Sequence, residues 1–194
     1  RLATFEYAGG LEPLRVRYRY NERGHLDRLS RPDPARVDDP NADTPYWSAT
    51  AADAYGQLSE EQIGDGGTVS TYSYFPDTGR LDSLRTRHDG TVVQETQHRY
   101  DLEGRLVQLR RVDQGAYTEY AYDNYNRLQS ESTRSLQNDA VIAEEAFEYA
   151  VNGNILRRAS SGSGSSYVWQ YEYDEAAGRP HAVRTISNGN PLET

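Results

Sequence analysis

The sequence predicts an all-β protein made of repeated antiparallel hairpins, and three observations carry that prediction. An aromatic-x-aromatic pair followed by a turn recurs about seven times along the 194 residues. Each turn holds a glycine or asparagine, at Gly24, Gly56, Gly79, Gly104, Asn126, Gly153 and Gly178, with steps of 32, 23, 25, 22, 27 and 25. Aromatic and β-branched residues dominate the stretches between turns, and no long apolar stripe of helical period competes with them. A period in the range of roughly 20–50 residues marks stacked supersecondary units. Residues 1–194 therefore read as a single run of such units, β-solenoid-like, with no separate catalytic domain.

The copies follow one layout. Tyr18-Arg19-Tyr20-Asn21 passes through Gly24 to Leu26, and a worn copy passes from Asp53 through Tyr55 and Gly56 to Leu58. Tyr72-Ser73-Tyr74 leads through Gly79 to Arg80-Leu81, and Tyr100-Asp101 through Gly104 to Arg105-Leu106. Tyr120-Ala121-Tyr122-Asp123 leads through Asn126 to Arg127-Leu128, and Phe147-Glu148-Tyr149 through Gly153 to Ile155. Tyr171-Glu172-Tyr173-Asp174 leads through Gly178 to Arg179. Aromatics two residues apart point to one face of a strand. The Asp or Asn after them can bond its own backbone, and Gly or Asn tolerates the positive φ of a tight turn.

The return segments pair apolar residues at i and i+3, as in Leu26/Leu29, Leu81/Leu84 and Leu106/Leu109. A regular strand would use i+2, so a bulge or a residue facing the other side is expected. Gly64-Asp65-Gly66-Gly67 reads as a hairpin turn between strands Leu58–Ile63 and Thr68–Tyr74. Residues 138–149 have some helical character, but Phe147-Glu148-Tyr149 fills the aromatic slot and a strand is expected. The glycine–serine tract from Ser160 to Ser166 is expected to be a hairpin tip. Residues 31–46, with four prolines, read as a surface loop, and their acids as a solvated patch.

Composition narrows the classes. Hydrophobic residues are 36%, with 16 Tyr against 3 Phe and 2 Trp, and the mean hydropathy is −0.91. Tyrosine packs its ring and hands its hydroxyl to water or backbone, which suits a thin sheet with one packed face and one wet face. Every basic residue is Arg and the net charge is −9. An acidic body without a basic stripe argues against nucleic-acid binding. No apolar run is long enough to span a membrane. Without cysteine there is no disulfide or thiolate metal site. With no methionine, even at position 1, the chain reads as a fragment or a processed product.

These tracts resemble the Rhs, or YD-repeat, family of bacterial toxins, Tc-toxin shell components and animal teneurins. The resemblance runs from about Phe5-Glu6-Tyr7 to Val183 and rests on the number and order of the Tyr-Asp-x-x-Gly-Arg-Leu copies. Arg179-Pro180-His181-Ala182-Val183, Asn126-Arg127-Leu128 and Asn152-Gly153-Asn154-Ile155 are similar to bacterial Rhs usage. The resemblance implies a β-sheet strip that coils into a hollow shell, enclosing a C-terminal toxin or effector in the bacterial members. It implies a secreted or cell-surface location within a larger bacterial protein, whose remaining shell and cargo would be the partners. Asp33-Pro34-Ala35-Arg36 and Asp39-Pro40-Asn41-Ala42 lack the glycine of the family's self-cleaving core, so the chain is expected to be shell wall alone.

Candidates for chemistry are few. Asp101, Asp123 and Asp174 recur at one place in three units, and stacked carboxylates can serve glycoside hydrolysis at about 5–10 Å. The reading preferred here is that each caps its own turn, since Asn21, Phe75 and Ala150 replace them elsewhere. Asp38, Asp39 and Asp43 lack calcium-loop spacing, and His25, His88, His98 and His181 are scattered, so neither metal nor cofactor is expected. Tyr46, Trp47 and Trp169 are candidates for stacking a sugar, against packing across strands. An adhesion or glycan-binding module, using residues 31–47 and 160–167, is the alternative to the shell. No enzyme is expected.

Overall fold

A computed structural model describes residues 2–7, 14–162, 166–174 and 178–189. The tip of the glycine–serine tract (163–165) and part of the last repeat turn (175–177) lie outside the described residues. The strands are β1 (Leu2–Tyr7), β2 (Leu14–Tyr20), β3 (Leu26–Arg31), β4 (Thr44–Ala52), β5 (Leu58–Ile63), β6 (Thr68–Tyr74), β7 (Leu81–His88) and β8 (Thr91–Tyr100). They continue as β9 (Leu106–Arg111), β10 (Ala116–Tyr122), β11 (Leu128–Ser135), β12 (Val141–Tyr149), β13 (Ile155–Gly162), β14 (Tyr167–Asp174) and β15 (Arg179–Gly189). One 3₁₀ turn, Val112–Gln114, is the only helical element among the described residues. Sheet order is chain order, and the resolved pairings are antiparallel.

Contacts gather into two compact units, residues 1–96 and 97–194. In both, the register sorts side chains onto two faces. In the first unit one face carries Tyr18 opposite Leu29, Tyr20 opposite Leu26, Trp47 opposite Leu29 and Ile63, Tyr72 opposite Leu84 and Tyr74 opposite Leu81. The reverse face pairs Arg19 with Arg28, Ser48 with Gln62, and Ser73 with Ser83. In the second unit the aromatic face pairs Tyr122 with Leu128, Tyr149 with Ile155, Tyr171 with Ile186 and Tyr173 with Val183. The expected division into an aromatic face and a wet face is present in each unit.

The i, i+3 spacing has a structural cause. Tyr18 and Tyr20 are two residues apart, yet their partners Leu29 and Leu26 are three apart, and the register shifts between them. The same shift follows Ser73, Ala121 and Glu148. An extra residue on the return strand, a bulge beside each of these four turns, keeps both apolar residues on the aromatic face.

With one layer there is no thick core. Among the described residues the buried apolar side chains are Ala116 and Val168, and no large side chain is wholly buried. Most buried polar positions are instead small and hydroxylic, such as Ser70 against Thr86 (3.0 Å) and Thr118, which meets Thr133 at 2.8 Å. Hydroxyls that satisfy one another across a strand pair carry little desolvation penalty.

One expectation needs correction. The loop is shorter than 31–46, because β3 runs to Arg31 and β4 starts at Thr44. Its last acid is not solvated. Asp43, with a side chain 1% exposed, receives both hydrogen bonds of Arg17 Nη1 at 3.0 Å, the Ser30 hydroxyl at 2.8 Å and the Asp33 amide at 3.3 Å. Arg17 Nη2 also donates to the Val37 carbonyl at 2.6 Å. A buried carboxylate is tolerated when a cation and neutral donors fill its lone pairs together. Sequence spacing cannot show that pairing, since Arg17 lies two strands upstream.

Candidate functional site

Residues that recur in every copy converge on the turns. In the Asp123 turn, Asp123 N donates to the Arg127 carbonyl at 2.9 Å, and Asp123 Oδ1 accepts from the Tyr125 and Arg127 amides at 2.8 and 3.0 Å. Its Oδ2 takes Arg127 Nε at 2.6 Å. Asp101 repeats this with Arg105, whose amide and Nε donate at 2.8 and 2.6 Å. Burial alone would raise both carboxyls. The arginine and amide donors outweigh it and hold Asp101 and Asp123 below the usual carboxylate range. Asn21 and Asp53 cap their own turns the same way, by accepting backbone amides.

All seven anchor residues have positive φ, from 61° at Asn126 to 91° at Gly153, with Gly104 at 86°. At Gly104 that conformation closes the turn, because its amide donates to the Asp101 carbonyl at 3.0 Å. Two copies have neither Asp nor Asn at this place. Phe75 opens a turn one residue longer, with its amide on the Arg80 carbonyl, and at Ala150 the following Asn152 side chain accepts from Asn154 instead.

Two links join four of the successive pairs of turns, and neither was picked out from the sequence. The residue after the anchor reaches forward: Gln57 Nε2 donates to the Gly79 carbonyl (2.8 Å), Arg105 Nη1 to Asn126 Oδ1 (2.8 Å), Arg127 Nη1 to the Ala150 carbonyl (3.1 Å), and Asn154 Nδ2 to the Pro180 carbonyl (2.6 Å). Arg105 and Arg127 also lie over the Tyr122 and Tyr149 rings, 5.1 and 4.5 Å from the centroids.

The second aromatic of a copy reaches back. Tyr74, Tyr122, Tyr149 and Tyr173 donate to the carbonyls of Leu58, Leu106, Leu128 and Ile155 at 2.7, 2.8, 2.7 and 2.9 Å. Burial raises the phenols of Tyr74, Tyr122 and Tyr149. The visible signal for the forward link was a long polar side chain just after each anchor.

The stacking candidates do not come together. Trp47 is on the aromatic face, its indole N–H donating to Glu61 Oε2 at 2.7 Å, and Glu61 Oε1 accepts from the Tyr72 hydroxyl at 2.8 Å. Burial, followed by that carboxylate, pushes Tyr72 up to about 12. Tyr46 is 37% exposed and lines an open groove of about 780 Å³ with Leu14, Val37 and Pro34. Trp169 packs edge-on against Tyr167, with ring centroids 6.1 Å apart. Tyr18 packs edge-on against Phe5 and shares a hydroxyl contact with Tyr7 at 3.0 Å. Tyr20 and Tyr100 close β2 and β8, and Tyr120 stands opposite Glu131.

The recurring carboxylates are occupied by their own turns; Asp174, like Asp101 and Asp123, meets the arginine beyond its anchor, Arg179, at 2.9 Å. His88 meets Thr68, and His181 meets the buried Asn154, at 2.9 and 2.8 Å. Among the described residues no group of three His, Cys, Asp or Glu could hold a metal ion, and no helix is long and apolar enough to cross a membrane.

No protein-family model and no curated protein matches the chain. Solved structures do. The crystal structure of TcdB2-TccC3-Cdc42 superposes with a TM-score of 0.66 at 19% identity, over 83% of this chain and 9% of that one. TcdB2-TccC3 gives 0.67 at 20% identity, over 83% and 9%. TcdB2-TccC3 without its hypervariable C-terminal region gives 0.67 at 17% identity, over 91% and 9%. The chain thus shares their fold, the β-hairpin strip expected of YD repeats, and spans about a tenth of their length.

Proposed function

We propose that this chain is a length of wall in a YD-repeat shell that encloses a polypeptide, and that it works by containment and not by catalysis. The observation that carries the reading is the pair of turn-to-turn links. Four copies bond forward, through Gln57, Arg105, Arg127 and Asn154, and four bond backward, through Tyr74, Tyr122, Tyr149 and Tyr173. Recurring side chains thus serve either their own turn, as Asp101 and Asp123 do, or the register of neighbouring copies, which is what a wall requires. The TcdB2-TccC3 likeness supports the reading, because those chains are far longer and share the same strip.

In such a shell the remainder of a larger secreted or cell-surface bacterial protein would be the partner, with a C-terminal toxin or effector as cargo. A wall without a continuous apolar patch would not grip an unfolded segment tightly. The test is limited proteolysis of the longest natural polypeptide that carries this sequence. The cargo segment should resist a protease until mild acid or denaturant opens the strip. Equal cleavage before and after opening would remove containment.

A second reading, adhesion to a glycan, draws on one observation, the groove beside exposed Tyr46. Glycan-array binding lost on Tyr46→Ala would favour it over the shell. Hydrolysis of sugars, peptides or phosphoesters by the purified chain would contradict both.

A further inference from the structure

We propose that the charged face of the 1–96 unit carries an oxyanion site centred on Arg28, fit for a phosphate group or a carboxylate. Arg15, Arg17 and Arg19 on β2 and Arg28 on β3 stand on this face, and the three on β2 each have a carboxylate. Arg15 meets Glu6 at 3.2 Å, Arg17 meets the buried Asp43 at 3.0 Å, and Arg19 Nε meets Asp27 Oδ1 at 2.9 Å. Arg28 has none. Its Nε is buried and has no hydrogen-bond partner among the described residues.

The register places Arg28 directly opposite Arg19 on one side and Ser48 on the other. Like charges directly opposite in an antiparallel pair repel, and a desolvated N–H without an acceptor is an exception that calls for a cause. Because Glu6, Asp27 and Asp43 are already engaged, the missing acceptor is not one of them. An anion with two or more oxygens would answer both problems at once. Guanidinium groups take such anions through paired, charge-assisted hydrogen bonds. Arg19 spends its Nε on Asp27 and keeps its terminal nitrogens for a second acceptor, and the Ser48 hydroxyl completes a row across β2, β3 and β4. This site is independent of whether the strip encloses anything.

The test uses the ¹⁵N-labelled 194-residue chain. Sodium phosphate, and separately sodium acetate, is titrated against sodium chloride at matched ionic strength while the arginine Nε–Hε signals are followed. A saturating shift of the Arg28 signal is expected with phosphate, with acetate or with both, and not with chloride. Response to phosphate alone assigns a phosphate group; response to acetate assigns a carboxylate. No saturating shift, or a shift shared equally by all arginines as screening would give, overturns the site.

Melting adds a second readout, since phosphate also stabilises proteins generally by exclusion from their surface. Phosphate should raise the Tm of the unsubstituted chain by more than that of Arg28→Gln, and equal rises would overturn the proposal. The titration of the unsubstituted chain stands even if Arg28→Gln does not fold, because through-bond correlation assigns the signal.

Discussion

At the scale of single residues the turn chemistry makes the sharpest predictions. Gly104 sits at φ 86°, where a β-branched side chain is strained. Gly104→Val should therefore cost about 1–3 kcal/mol in a thermal or denaturant melt, and an unchanged melt would contradict the turn. Tyr122→Phe removes one hydroxyl from the Leu106 carbonyl and should cost about 1 kcal/mol.

The titrations have signs. Asp101 and Asp123 are held below their usual 3.8, so the stability they lend is present above that value and is lost as pH falls through their folded pKa. Tyr72 is raised from 10.0 to about 12, so its share is complete below 10.0 and is lost as pH rises toward 12. Melts across pH 2–5 and pH 9–12 should fall at both ends. Asp123→Asn should flatten the acid limb, and Tyr72→Phe the alkaline one.

At the scale of elements, most strands were legible because alternation and turn residues are local signals. The hairpin from Leu58 to Tyr74 has the expected bounds, and β12 is a strand despite its alanines because Phe147 and Tyr149 need the aromatic face. The i, i+3 leucines announced a bulge whose place only the register could fix.

Two features were not legible. The forward links depend on side-chain reach between turns 22 or more residues apart, such as Arg105 to Asn126, 21 positions away. The Arg17–Asp43 pair joins β2 to the end of a proline-rich loop across 26 positions. Breaking that pair leaves a buried charge without its partner. Asp43→Ala should cost about 3–5 kcal/mol in a melt, and the double change Arg17→Met with Asp43→Leu should cost less than either single one.

At the scale of the molecule, the chain-order sheet implies that whole repeats are interchangeable parts. Deleting residues 106–127 would join Arg105 to Leu128, restoring a complete turn with its aspartate, anchor and arginine. The shortened chain should keep a β-type circular dichroism spectrum and a cooperative melt. Deleting half as many residues inverts strand direction at the junction and should abolish that cooperativity. Loss of the fold in the whole-repeat deletion would show that the copies are not equivalent. Candidate chemistry was legible mainly as structure: the three aspartates serve their turns, and Trp47 and Tyr46, adjacent in sequence, end up in different surroundings.

Strands that partner only their neighbours along the chain bear on how the strip is made. The first hairpins can settle while later residues are still emerging from a ribosome or a secretion pore, because none of them waits for a distant partner. Growth of this kind proceeds from the leading end to the trailing end, and the most recently formed strand is always the template for the next.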